Sequence, residues 1–292
     1  MRLAVSPLIA KNMDGNNAPG LLPLAGPAVL QHLRHKIFVM SGKGGVGKSS
    51  VSVNLAAALA EMGYKTGLLD IDLHGPSVPG LLGLRGAQVR VENGRLLPLP
   101  AAENLWVLSL ESLLRDRDQA VIWRGPRKNG AIRRMLGETS WGDLDFFLVD
   151  SPPGTGDEHL ALLKMLPDAF CLVVTTSHNL ALADVRKAVS FLRSMRVISL
   201  GLVENMSASV CPHCGGALEL NRPGGALELA CETGIAFLGA IPFDIEASKT
   251  ADAGRTILAI PGMNPAKSAY YALAESVKNV CVDRGSGRDN IL

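Results

Sequence analysis

Cysteine is scarce in this chain: five residues in a length of 292 make no disulfide framework, and they point to a reducing compartment. Charge of either sign is not in excess. The 29 basic and 27 acidic side chains leave +2, which gives no basic footprint of the kind a nucleic-acid binder carries. Long hydrophobic runs are missing too, since LLPLAGPAVL (21–30) is too short and too rich in proline to span a bilayer. The N-terminal LAVSPLIA is broken by Pro7 and lacks the apolar core and cleavage site of a signal peptide. The C-terminal YYALAESVKNVCVDRGSGRDNIL lacks the basic amphipathic helix of a membrane-attached protein. There are no internal repeats. Aromatics are only 4%, but apolar residues reach 47%, ample for one buried core. A cytoplasmic, soluble protein with no nucleic-acid or membrane partner is expected.

What is present is a strand–helix alternation. Residues 1–35 carry Pro, Gly and Asn without periodicity and read as a flexible arm. From Lys36 the runs KIFVMS, KTGLLDID, LDFFLVD, AFCLVVTT and VISLGLVE are apolar for most of their length, as parallel strands covered on both faces are. Val51, Leu55, Leu59 and Met62 recur at helical spacing between the first two runs, with Gly63 placed to end the helix. The alternation predicts an α/β fold with a doubly wound, mostly parallel sheet in a single domain, residues 36–282. A hairpin is expected around Asn93-Gly94, an irregular insertion at 206–232 before FLGAIPFD, and a polar tail at 283–292.

The stretch SGKGGVGKSS (41–50) fits the phosphate-binding loop G-x-x-x-x-G-K-[ST], with a strand before it and a helix after. Its residues Gly42, Lys43, Gly44, Gly45, Val46, Gly47, Lys48, Ser49 and Ser50 are the candidate nucleotide cradle. Backbone N–H groups curl around phosphate oxygens there, and the helix adds the positive end of its dipole. Lys48 is placed to reach the β and γ phosphates and the Ser49 hydroxyl to ligate Mg²⁺.

Such a loop needs acids at the carboxyl ends of strands. Asp72, in LLDIDLHGPS, is the candidate for orienting the attacking water, and Asp150, closing LDFFLVD, for the Mg²⁺-bound water. Asp70 shares the side of Asp72, but an aspartate at a strand end is often only a turn residue. None of these acids needs a raised pKa for phosphoryl transfer to water. In PPGTGD (152–157) the Gly154 N–H is a candidate sensor of the γ-phosphate. His74 and the basic stretch RGPRKNGAIRR read as an idle loop histidine and a solvated helix face.

The run K-G-G-V-G-K-S resembles the deviant Walker A loop of the nitrogenase-iron-protein, MinD and ParA superfamily. That resemblance gives Lys43 a purpose: it implies an ATP-dependent homodimer in which the lysine crosses the interface to the partner's nucleotide, much as an arginine finger does. Cys211-Pro212-His213-Cys214-Gly215-Gly216 adds a C-x-x-C turn that aims two sulfurs at one point. With no second C-x-x-C, three arrangements stand: two pairs enclosing a shared centre across a dimer, a zinc site completed by His213 and Cys231, or a redox dithiol. The dimer implied by Lys43 favours the first.

DIDLHGPSVP, DSPPGTGD and ENM followed by C-P-x-C resemble the Mrp/ApbC family of iron–sulfur cluster carrier ATPases, with matching stretches from Lys36 to about Ala274. The resemblance implies a slow ATPase using ATP and Mg²⁺, and a 4Fe-4S cluster bridged by Cys211 and Cys214 of two subunits and passed to apo iron–sulfur proteins. It also implies that Asn205, Pro242 and Asp244 lie near the adenine. The sequence departs from the family at Ser177-His178 and across 215–231, which bears on partner choice. The competing readings are a MinD/ParA-like positioning ATPase, in which CPHC has no evident use, and a zinc-stapled metal-insertion ATPase, which stays open.

Overall fold

The computed structural model describes residues 30–72, 75–113, 125–210, 216–218 and 224–285. The arm expected at 1–35 therefore lies mostly outside the described residues, and its last part is not an arm: the first strand already begins at Leu33.

Among the described residues twelve strands and eight α-helices follow in chain order: β1 (Leu33–Ser41), α1 (Lys48–Glu61), β2 (Thr66–Asp70), α2 (Val78–Leu81), β3 (Arg90–Glu92), β4 (Arg95–Leu97), β5 (Leu99–Ala102), β6 (Leu105–Ser109), α3 (Gly125–Gly137), β7 (Leu144–Asp150), α4 (Asp157–Met165), β8 (Phe170–Thr175), α5 (Asn179–Ser194), β9 (Ile198–Asn205), β10 (Ser209–Val210), β11 (Ala217–Leu218), α6 (Gly225–Thr233), β12 (Phe237–Ile241), α7 (Ile245–Asp252) and α8 (Pro265–Gly285). Eight strands form one sheet in the order β12-β9-β8-β1-β7-β2-β6-β5. All neighbours are parallel except β5, which runs antiparallel to β6 at the edge and there accommodates Pro100.

Each central strand is buried on both sides because its residues alternate between two cores. Ile37 and Val39 pack with α1 and α8, through Val51, Leu55, Leu59, Leu273 and Val277. Phe38 and Met40 pack with α3, α4, α5 and α6, through Ile132, Leu162, Val185 and Leu229. The apolar runs in the sequence are the signature of this double covering. Helix α1 stops where expected: Tyr64 N–H reaches back to Leu59 O, with Gly63 at φ +91° making the left-handed turn.

The hairpin forms as β3 and β4, with Asn93 and Gly94 both at positive φ. Three boundaries differ from the expectation. Strand β6, LWVLS, adds a parallel partner to β2 that short apolar length did not advertise. The insertion at 206–232 is not wholly irregular, because it contains the β10–β11 ribbon and most of α6. Helix α8 continues to Gly285, past the start of the expected polar tail; residues 286–292 lie outside the described residues.

Gly67 in β2 leaves no room for a side chain: an added Cβ would sit 2.5 Å from Leu144 Cδ1 and 3.0 Å from Phe147 Cδ2. Gly67→Ala is expected to cost about 1–3 kcal/mol of stability through overpacking, read as a lower urea midpoint with an unchanged slope.

Candidate nucleotide site

Strand β1 lies between β7 and β8, while its successor β2 pairs on the far side of β7. The chain reverses its winding here, and the carboxyl ends of β1, β7 and β2 open onto one crevice. The phosphate loop fills it. Gly42 must lack a side chain because a Cβ would stand 2.6 Å from the Asp184 backbone of α5. Gly47 is left-handed, φ +77°, and lies against the Asn205 amide.

The registers bring the acids together. Asp150 pairs with Val39 on β1 and with Asp70 on β2, so two fully buried carboxylates sit side by side under the loop. Asp150 accepts hydrogen bonds from Ser49 Oγ and Ser52 Oγ, each at 2.6 Å, and faces Lys48 Nζ at 2.8 Å. A carboxylate and a hydroxyl at this separation suit the oxygen-only coordination that Mg²⁺ requires beside phosphates, and glycines on either side leave the loop's N–H groups open to anions. Among the described residues no group of three or more His, Cys, Asp or Glu side chains is assembled to hold a metal by itself.

Among the described residues Asp70 forms no ion pair, although Lys48 is near enough to act on it. It accepts Asp72 N–H at 3.0 Å and Ser109 Oγ–H at 3.1 Å, and burial beside the Asp150 carboxylate pushes it up to about 8. A raised acid therefore does occur at this site. Asp70 is a buried member that fixes the turn leading to Asp72, which itself is half-exposed at the mouth. Sequence reasoning undervalued Asp70 and passed over Ser52 and Ser109. For Ser52 a signal existed: it lies four residues after Lys48, on the same helix face.

The remaining candidates take distinct positions. Lys43 is exposed and makes no ion pair among the described residues. Gly154, at φ +93°, gives its N–H to Ser41 O at 2.9 Å, so sensing a phosphate requires that bond to be released. Asn205 Nδ2 donates to Val46 O at 2.9 Å and so holds the loop from the end of β9. Asp244 caps α7, its Oδ1 accepting Ala247 N–H at 2.9 Å, with Pro242 just before it. Of the basic stretch, Lys128 is paired with Glu158 and Arg134 with Glu138, while Arg133 is exposed as a solvated face requires. Cys211, Cys214, His213 and His74 lie outside the described residues. The ribbon flanking the cysteines is described: Val210 pairs with Ala217 and Ser209 with Leu218. Cys231 is exposed on α6, and Cys171 and Cys281 are buried, as core cysteines are. No helix among the described residues is long and apolar enough to cross a membrane.

The buried pair generates a pH dependence. Above the ordinary carboxylate range the folded chain keeps a proton on Asp70 that the unfolded chain has lost, so this residue's stabilisation falls as pH rises toward about 8. The His159 imidazole, pushed down to about 4 by burial, works in the opposite direction, but only below its ordinary range. Between pH 6.5 and 8, wild type is thus expected to lose stability in urea titrations, and Asp70→Asn to lose distinctly less. Equal losses in the two proteins would contradict the assignment. For Ser52→Ala, the loss of one donor to buried Asp150 is expected to cost about 1–3 kcal/mol.

Comparison with known proteins agrees with this geometry. The family model described as "ParA: NUBPL iron-transfer P-loop NTPase" matches residues 32–278. An iron-sulfur cluster carrier protein of Methanocaldococcus jannaschii is 42% identical over 226 residues, 77% of this chain and 78% of the relative. The cytosolic Fe-S cluster assembly factor NUBP2 of Bos taurus is 40% identical over 258 residues, 87% of this chain and 95% of the relative. Among solved structures, a nucleotide-binding protein of Archaeoglobus fulgidus in complex with ADP superposes with a TM-score of 0.69 at 38% identity, covering 78% of this chain and 89% of that one. The cell division ATPase MinD of Pyrococcus furiosus shares the fold, with a TM-score of 0.62 at 22% identity over 85% of this chain and 100% of that one. The chain belongs to the NUBPL-type iron-transfer P-loop NTPases, the iron–sulfur cluster carrier family.

Proposed function

We propose that this chain is a cytoplasmic ATPase that carries a 4Fe-4S cluster, held between Cys211 and Cys214 of two copies and handed to apo iron–sulfur proteins. The observation that carries the reading is one of placement. The ribbon that flanks the cysteines begins at Ser209, four residues after Asn205, the last residue of β9, whose amide holds the phosphate loop. The segment that leads to the cysteine pair and the phosphate loop thus meet at one strand end. Four thiolates from two chains satisfy the ligand count of a cubane cluster, which one chain's C-x-x-C leaves half filled. The cluster is cargo in this scheme.

On the nucleotide side, Lys48 neutralises phosphate charge, the loop amides hold the oxygens, and Asp72 orients the attacking water. When bound, Mg²⁺ would be held by Ser49 and, through water, by Asp150, and it would draw charge from the phosphates. The adenine lies toward Asn205 and the Pro242–Asp244 turn. Lys43 reaches out of its own site, and the partner subunit's Lys43 completes this one. Hydrolysis relies on positioning and charge neutralisation, with no covalent intermediate.

Anaerobic reconstitution with iron and sulfide, followed by visible absorption, tests the carrier role. Wild type is expected to turn brown, and Cys211→Ser or Cys214→Ser to stay colourless while nucleotide binding survives. A colourless wild type carrying only zinc would favour the zinc-stapled reading. Lys43→Ala is expected to lower kcat on the order of a hundredfold with nucleotide affinity largely kept; unchanged turnover would remove the role across the interface.

A further inference from the structure

We propose that Glu204 is a positioning residue that transmits nucleotide occupancy from the phosphate loop to the cysteine pair, through the last two residues of β9. The inference rests on the reading of Cys211 and Cys214 as ligands, and extends it to how the two sites communicate.

Consecutive strand residues project to opposite faces of a sheet. At the end of β9 this sends Asn205 toward the phosphate loop, where it donates to Val46 O at 2.9 Å. It sends Glu204 toward the other layer, where its carboxylate accepts the Ala226 N–H at 3.3 Å. Ala226 is the second residue of α6, the element to which the chain returns after the cysteine segment. The departing end is stitched as well. Ser207 N–H donates to Ile241 O and Phe243 N–H to Ala208 O, both at 3.0 Å, so the ribbon's root is bonded to the strand and turn that lead into Pro242 and Asp244. The corner between is made by Met206 at φ +53°. The departing root is therefore held by the strand and turn that lead into the expected nucleotide pocket, and the returning root by Glu204, the chain neighbour of Asn205.

Glu204 is the stiff member of this joint. It is 3% exposed, and burial raises its pKa while the Ala226 N–H and, after it, the Ser177 hydroxyl act against the rise. A carboxyl group this deep cannot give up its donor cheaply, so a twist of the β9 end moves α6 rather than breaking the contact. Helix α6 follows as a body because Ala226 and Leu229 are locked in the core. The carboxylate also lies at the positive end of the helix dipole, which favours its staying there. Nothing in phosphate binding or in cluster ligation requires a carboxylate at this position. A joint between them does.

The test uses the full chain, reduced and free of iron, with iodoacetamide labelling read by peptide mass spectrometry in the presence and absence of Mg-ADP. Cys231, exposed on α6, reports whether that helix loosens instead of moving as a body, and buried Cys171 and Cys281 report unfolding. In wild type, ADP is expected to change the labelling rates of Cys211 and Cys214 about fivefold or more, with Cys231 unchanged. Glu204→Ala should abolish that response while ADP affinity stays within about twofold of wild type, a separation that general loosening would not produce. Glu204→Gln, whose amide oxygen still accepts the Ala226 N–H, should restore most of the response. If labelling of Cys171 shows that Glu204→Ala does not fold, Glu204→Asp, one methylene shorter, takes its place with the same expected loss. A full ADP response in the folded Ala or Asp variant, or no response in wild type, overturns the proposal. The assay needs neither iron nor sulfide. A chain that couples but assembles no cluster contradicts the carrier reading alone, and one that assembles a cluster without Glu204-dependent coupling contradicts this inference alone.

Discussion

The buried carboxylate of Asp150 organises the molecule. It sits fully enclosed at the end of a central strand, where an isolated charge would be prohibitively costly, and it is made tolerable by Lys48 at 2.8 Å and two serine hydroxyls at 2.6 Å. Those three donors all come from the first turn and a half of α1, so a single ionic cluster fixes the helix, the phosphate loop before it and the crevice above it. Removing one partner of such a buried pair costs about 3–5 kcal/mol, whereas a nucleotide offers Lys48 a second set of oxygens. The proposed ligand site and the folding constraint are the same atoms.

A second carboxylate beside the first refines this arrangement. Asp70 and Asp150 lie in register on adjacent strands, and with the ammonium on the Asp150 side the pair is resolved by protonation of Asp70. The consequence is local order in the turn toward Asp72, since Asp70 accepts that residue's N–H. From the other side, Asn205 fixes Val46, and its neighbour Glu204 fixes the return from the cysteine insertion. The crevice and the described ends of the insertion are thus joined by main-chain and buried polar contacts. The proposed holding and release of inorganic cargo calls for such a link.

Much of this was legible in the residues. The five apolar runs became the parallel core strands, because covering on both faces leaves an unmistakable composition. The glycine–lysine loop announced its own geometry, and Asn93-Gly94 its hairpin. What escaped shares one cause: it depends on register between distant segments. Asp70 looks like a turn residue until β2 is laid against β7, and Ser52 looks like a helix filler until Asp150 arrives 98 positions later. Strand β6 is short and flanked by an edge partner, so its signal is weak. Helix α6 was hidden because its glycine-flanked start, residues 224–225, reads as loop.

The central claim is that each chain owns half of a thiolate cage, and native mass spectrometry of anaerobically loaded protein tests it most directly. The account predicts one 4Fe-4S cluster per pair of chains, with the pair coming apart when the cluster is removed by chelation. A complete cluster, or a tightly held zinc ion, on a single chain would contradict it.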